Sequence, residues 1–185
     1  VLVPSYVFDF KNWFDDSKNR ITGRILLLPP QETAFNADAY KWGYWSLEPL
    51  PNVLSAKTFV TGNTGNNITD ALVKQLYKAI LEEDLVTIDK LSRVLDVEYV
   101  SVRNDFYYDN PRGETLPPQI FTNAIKSSDN FAEIKNFNQW SLFKIKSYSP
   151  SRFYIPSNIV LFAGDFGSLY EEITLMDKND MIIED

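Results

Sequence analysis

The sequence contains no cysteine and no histidine. Without cysteine there is no thiol nucleophile and no disulfide-stapled fold, although this does not by itself fix the redox compartment. The two absences together remove the usual zinc ligands and the imidazole base of hydrolytic triads. Any catalysis would fall to carboxylates, lysine, tyrosine or a hydroxyl, and no metal or cofactor is expected. Long hydrophobic runs are also missing. The longest apolar stretches, ILLL at 25–28 and IVLFA at 159–163, are strand-sized and far short of the roughly 20 residues of a membrane span. Positive charge is scarce and dispersed, with 18 Lys and Arg against 25 Asp and Glu, a net charge of −7. A groove that tracks phosphates needs clustered cations, so nucleic acid is not an expected partner.

What is present describes a folded domain. The 185 residues, 44% apolar and 23% charged, suffice for one hydrophobic core, and no repeat or linker divides them, so residues 1–185 read as a single domain. Aromatic residues reach 15%, with 13 Phe, 10 Tyr and 4 Trp. Such an excess serves either a core or a sugar-binding surface. The first residue is Val1 rather than Met, and the chain ends in MIIED. This reads equally as a piece of a longer protein or as a processed mature chain.

Periodicity supplies the elements. Residues 6–18 place Tyr6, Phe10, Trp13 and Phe14 near helical spacing. GRILLLPP is a short strand, apolar on both faces and stopped by Pro29 and Pro30, which is the pattern of a central strand. Residues 31–39 read as loop, AYKWGYWSLEPLP at 39–51 as loop or short strand, and VTGNTGNN at 60–67 as a flexible turn. A helix starting near Thr69 or Asp70 carries Leu72, Val73, Leu76, Tyr77, Ile80 and Leu81 in one stripe, and another starts near Thr87. VEYVSV at 97–102 is a β-branched strand ending in Arg103-Asn104-Asp105, and residues 106–118 are a loop. A short helix over 117–126 precedes a hairpin over 131–146, turning at Asn136–Gln139. SRFYIP, SNIVLFAGD and MIIED read as further strands, with a last helix capped by Asp165. The order predicts an α/β fold: a mixed sheet flanked by helices, with an antiparallel hairpin in the C-terminal half.

Three stretches in this order carry a resemblance: GRILLLPP, then AYKWGYWSLEPL, then KLSRVLDVEYVSVRND. The pattern resembles the soluble region that follows the membrane helices in bacterial arabinofuranosyltransferases, members of the C-type glycosyltransferase superfamily. The last element is carried by Leu95, Val97, Tyr99, Val100, Val102, Arg103, Asn104 and Asp105. It looks more loosely like the soluble domain of oligosaccharyltransferase catalytic subunits. Their Trp-Trp-Asp-Tyr-Gly signature corresponds to the stretch Tyr40-Lys41-Trp42-Gly43-Tyr44-Trp45, where the signature's Asp is missing, so acceptor-sequon recognition is not carried over. C-type enzymes keep their catalytic acids on loops beside membrane helices, and none of those helices is in this chain. The resemblance therefore implies a non-catalytic extracytoplasmic domain attached to a transmembrane parent. Its implied partners are a glycan or lipid-linked sugar and the parent's own transmembrane region.

Candidate contact residues follow. Trp42, Tyr44 and Trp45 around Gly43 offer faces on which a sugar ring's C–H face can stack, with Glu48 accepting from hydroxyls. The same rings equally fit a plug between sheet and helices. Arg103, Asn104 and Asp105 stand at the C-terminal end of a strand, where ligands of α/β sheets gather; they also fit a plain turn with a structural ion pair. Glycoside hydrolysis needs two carboxylates about 5–9 Å apart. Glu48, Asp105, Asp109 and Glu114 are the candidates, and the sequence singles out no pair. Asn67-Ile68-Thr69 matches a glycosylation acceptor pattern, while AGDFGS at 163–168 lacks the lysine of a phosphate loop. The leading expectation is thus a glycan-shaping or glycan-binding accessory domain. Its alternatives are a scaffold module of a multispan membrane protein with no sugar role, and a carboxylate hydrolase.

Overall fold

The computed structural model describes residues 2–16, 18–19, 21–31, 37–62, 65–109 and 115–149, together with the backbone of 158–162 and 180–184. The main sheet has five strands. β1 (Arg24–Leu28) lies between two parallel neighbours, β4 (Phe59–Val60) and β5 (Val97–Arg103). β5 pairs antiparallel with β7 (Trp140–Ile145), which pairs antiparallel with the edge strand β6 (Phe131–Phe137). The spatial order is β4-β1-β5-β7-β6. The fold is therefore the expected mixed sheet flanked by helices, with β6 and β7 as the expected hairpin. Asn138 turns that hairpin at φ 73°, a conformation Asn tolerates better than most residues.

Both faces of β1 are buried, as the unbroken apolar run required. Ile25 and Leu27 point to one side and Leu26 and Leu28 to the other, following the two-residue period of a strand. On the second side lie α3 (Asn67–Glu82), α4 (Leu85–Val94) and α5 (Pro118–Ser127). Their stripes, among them Leu76, Ile80, Ile88, Leu91, Phe121 and Ile125, close over Leu26, Leu28, Val100, Val102 and Phe143. On the first side lies α1 (Ser5–Asp15), which buries Tyr6, Val7, Phe10 and Phe14. Phe10 meets Trp140 edge to face at 4.8 Å and Phe137 at 5.3 Å, so α1 is keyed to the hairpin by aromatic contacts.

The helix starts move upstream of the expected positions for a local reason. Asn66 accepts from the backbone N–H groups of Ile68 (3.1 Å) and Thr69 (3.0 Å), so α3 begins at Asn67. The Asn67-Ile68-Thr69 pattern thereby falls in its first turn. Asp84 caps α4 in the same way, accepting from the Thr87 N–H at 3.2 Å.

The segments read as loop hold more structure than their polarity suggested. Asp38–Ala39 (β2) pairs antiparallel with Trp45–Ser46 (β3), and a short α2 (Leu50–Leu54) follows, with proline at its start. These pieces exist because residues elsewhere in the fold hold them, as described below. Strands β8 (Asn158–Phe162) and β9 (Asp180–Glu184) form a separate parallel pair, so the strand expected at the end of the chain is Asp180–Glu184, paired with β8. The expected SRFYIP strand, the AGDFGS turn and the helix capped by Asp165 lie outside the described residues. Among the described residues no helix is long and apolar enough to cross a membrane.

Candidate functional site

The two stretches singled out by sequence, 38–50 and 103–108, are joined in space by a buried polar network. The β2–β3 hairpin turns through Lys41-Trp42-Gly43. The Tyr40 N–H donates to the Tyr44 carbonyl at 3.0 Å, and Gly43 sits at φ 102°, where a side chain would be strained. This hairpin docks on the segment after β5. The Lys41 N–H donates to the Asp105 carbonyl (2.9 Å), the Tyr107 N–H donates to the Ala39 carbonyl (2.8 Å), and Tyr40 bridges to Phe106.

Arg103 is the first strut. Its side chain is fully buried and ion-paired with Asp38, itself fully buried. The guanidinium also donates to the Tyr40 hydroxyl (3.0 Å), the Leu28 carbonyl (3.3 Å) and the Pro29 carbonyl (2.5 Å). Asp38 additionally accepts from the Tyr40 hydroxyl (2.8 Å) and the Leu50 N–H (2.9 Å), which anchors the start of α2. Burial alone would depress the Arg103 pKa, but Asp38 and Tyr40 reverse this, and the guanidinium is held more firmly charged than usual. Its planar fork also lies 4.8 Å from the Phe106 ring centre. Burial pushes the Tyr40 phenol well up, against the Arg103 charge, which favours ionisation.

Asp105 is the second strut. Its carboxylate collects three donors from three elements: the Tyr6 hydroxyl of α1, the Trp42 indole N–H of the hairpin at 2.9 Å, and the Trp140 indole N–H of β7 at 2.7 Å. Burial, and then the bond to Asp105, push the Tyr6 phenol above its ordinary range. The rings interlock around these bonds. Tyr40 stacks on Trp42 at 5.6 Å and 24°, and lies 5.5 Å from Trp140.

The expected contact residues therefore divide. Arg103 and Asp105 are buried in the network. Asn104 is half-buried, and its carboxamide oxygen accepts from the Thr122 hydroxyl at 3.1 Å. Trp42 and Tyr44 are half-buried, 5.9 Å apart, and packed against the core on the Tyr40 side. Trp45 is 58% exposed, and Leu47 and Glu48, farther along the same segment, are exposed as well. Glu48 accepts from the Asn52 side chain at 2.6 Å. Of the candidate acids for hydrolysis, Asp105 is enclosed by its donors, Glu48 and Asp109 lie on the surface, and Glu114 lies outside the described residues. Among the described residues there is no gathering of three or more acidic side chains of the kind that holds a metal ion.

Sequence reasoning passed over Asp38, Tyr6 and Trp140. Asp38 is an acid in a polar stretch, with no local sign of burial. Tyr6 counts as one more ring of an amphipathic helix. Trp140 stands opposite Arg103 only in the β5–β7 register, a pairing between strands far apart in sequence that the hairpin pattern does not announce.

No protein-family model matches the chain, and no curated protein matches it. Among solved structures, the chain is similar to part of the arabinofuranosyltransferase AftD from Mycobacteria, seen by cryo-electron microscopy. The match has a TM-score of 0.55 and 19% identity, and covers 78% of this chain and 12% of that chain. The fold is shared with that AftD segment. The C-terminal globular domain of an oligosaccharyltransferase from Archaeoglobus fulgidus aligns with a TM-score of 0.44 and 12% identity, over 79% of this chain and 100% of that domain. The likeness to AftD thus concerns about an eighth of a much longer protein.

Proposed function

We propose that this chain is a non-catalytic, extracytoplasmic domain of a membrane glycosyltransferase, and that it presents the Trp45–Glu48 surface to a glycan acceptor or donor. The observation that carries the reading is the junction itself. The motifs behind the sequence resemblance, the Trp42-Gly43-Tyr44 hairpin and Arg103-Asn104-Asp105, are pinned to each other through Asp38 and Asp105, in a fold shared with a segment of an arabinofuranosyltransferase. Polar groups buried at this density stiffen a surface more effectively than they bind a mobile ligand.

In this reading Arg103 and Asp105 are positioning residues, and Asn104 ties the same corner to α5. Trp42 and Tyr44 are the inner wall of the hairpin, while Trp45 is the ring free to stack on a sugar, with Glu48 three residues on to accept from hydroxyls. The parent's transmembrane region is the second partner, and the extracytoplasmic face of the membrane is the location.

The test is titration of the purified chain with arabinofuranosyl and other neutral oligosaccharides, followed by NMR. Binding is expected at residues 45–48, lost in Trp45→Ala, with no sugar transfer from activated donors by the chain alone. Transfer by the isolated chain, or sugar-induced shifts at residues 46–48 that persist in Trp45→Ala, overturns the reading. Trp42→Ala is the poorer probe, because it also removes a hydrogen bond from Asp105.

A further inference from the structure

A separate cleft of about 450 Å³ opens between α1 and the β6–β7 turn. Its helix wall includes Asp9, Asn12 and Trp13, its hairpin wall Lys135 and Asn138, and Tyr6 also lines it. We propose that this cleft is a glycan contact site distinct from the Trp45 surface, and that it takes a short, uncharged saccharide.

The polar groups of the cleft are free. Among the described residues, the side chains of Asp9, Asn12, Lys135 and Asn138 have no hydrogen-bond or ion-pair partner, although each lines the cleft. Together they supply a carboxylate acceptor, an ammonium donor and two carboxamides that both give and accept. A sugar hydroxyl is donor and acceptor at once, and this mixed set matches it.

The cleft also carries no net charge. Its lining holds one carboxylate, Asp9, and one ammonium, Lys135, so the charges balance. A phosphate or nucleotide site would show an excess of cationic or backbone N–H donors, and a cation site an excess of carboxylates. Neutral ligands are favoured over both.

The cleft also holds a ring in a fixed place. Trp13 is half-buried, with its ring held edge to face against Phe14 at 4.9 Å and Phe137 at 6.0 Å. An indole held in this way offers apolar area to a sugar's C–H face without first losing rotamer freedom.

The walls are also preformed. The helix side is held by buried Phe10 and Phe14. The turn side is held by the Asn138 N–H on the Asn136 side chain at 2.7 Å, and by Asn136 on the Ser141 hydroxyl at 3.3 Å. Tyr6 is fixed by its bond to Asp105. The volume lies within the roughly 300–1,000 Å³ of small-molecule sites.

The experiment is two-dimensional NMR of the whole chain titrated with methyl arabinofuranoside, maltose and cellobiose, with glucose 1-phosphate as the charged comparator. At least one neutral sugar is expected to give saturable shifts at residues 9–13 and 135–138. Asn12→Ala and Asp9→Ala change exposed side chains and leave the core intact; each is expected to weaken binding about tenfold, a loss of roughly one hydrogen bond. Trp13→Ala is expected to abolish binding, and Trp45→Ala to leave the shifts at these residues unchanged. The proposal is overturned by the absence of saturable shifts in the cleft, by binding that survives both polar substitutions, or by tighter binding of glucose 1-phosphate. Shifts confined to residues 45–48 overturn the cleft and leave the Trp45 reading standing, so the two fail separately.

Discussion

Asp105→Asn is the sharpest perturbation of this protein, because it changes charge and one donor pattern while leaving volume almost untouched. In the native fold, Oδ2 accepts from Tyr6 and Trp42, and Oδ1 accepts from Trp140. A carboxamide has one oxygen. With that oxygen toward Tyr6 and Trp42, its NH2 group faces the Trp140 indole N–H, donor against donor. With the amide flipped, two donors are stranded instead of one. The better orientation loses one charge-assisted bond and leaves a buried donor without a partner, at a cost of about 1–3 kcal/mol. The two surviving bonds drop from the range of bonds to charged groups, about 1.5–3 kcal/mol, to that of neutral ones, about 0.5–1.5 kcal/mol. Relief from burying a charge offsets part of this. The expected net destabilisation is about 3 kcal/mol, a large share of the roughly 5–15 kcal/mol of a typical domain. With a urea m-value of about 2 kcal/mol/M, the midpoint falls by about 1.5 M. Far-UV circular dichroism reads this without relying on tryptophan emission. The mechanism has a second signature. In a Trp140→Phe background the opposing indole N–H is gone, so Asp105→Asn costs at least about 1 kcal/mol less than in the parent chain. A single-variant loss under about 0.5 kcal/mol, or no coupling in the cycle, refutes the account of Asp105 as the common acceptor.

A Cβ added at Gly23 would lie 2.6 Å from Glu98 Cβ and 3.0 Å from the Asp96 carbonyl, so Gly23→Ala is expected to lower stability by about 1–3 kcal/mol in the same urea assay, and an unchanged midpoint refutes the contact. Burial works against the Glu98 charge, but the Gly23 N–H, Lys144 and Thr22 outweigh it, and its carboxyl is held below the usual value; Asp84 is likewise lowered, first by Thr87. Because these folded-state values are depressed, the stability they contribute is complete above about pH 5 and is lost as the pH falls through them; Glu98→Gln should flatten the acid limb of a stability–pH curve, and an unaltered limb counts against the assignment. On the alkaline side, burial raises the Tyr99 phenol to about 12, so its contribution is full below about pH 10 and disappears as the pH climbs through the folded value; ultraviolet titration should show tyrosines ionising together with unfolding, and early ionisation of all of them would contradict their burial.

Much of the architecture was legible in the chain because local chemistry and tertiary burial agree there. The unbroken run Ile25–Leu28 announced a strand covered on both faces, and β1 is enclosed between two neighbours. The stripes of α3 and α4 lie on the face they pack with, so a 3.6-residue period was enough to find them. The hairpin of β6 and β7 came from β-propensity around an Asn-containing turn. The elements that were not legible, β2, β4 and α2, are two to five residues long, and β3, in a stretch left open between loop and short strand, is two. Segments so short have no periodicity to read, and they are held by groups far away in sequence.

The same division runs through the candidate site. Composition and local pattern were enough to mark the aromatic hairpin and Arg103-Asn104-Asp105 as unusual, and to set them on a loop and a strand end. They left open whether those residues face solvent or each other, because an exposed ring and a buried ring have identical local sequence. Tertiary structure decided it. Asp38, 65 residues from Arg103, turned that cation inward, and Tyr6, 99 residues from Asp105, helped to close the carboxylate. Trp45, one residue from Tyr44, was left on the surface by the two-sided alternation of an extended chain. Secondary structure follows from neighbours in sequence. Which polar groups lose their water follows from partners the chain brings together only when it folds.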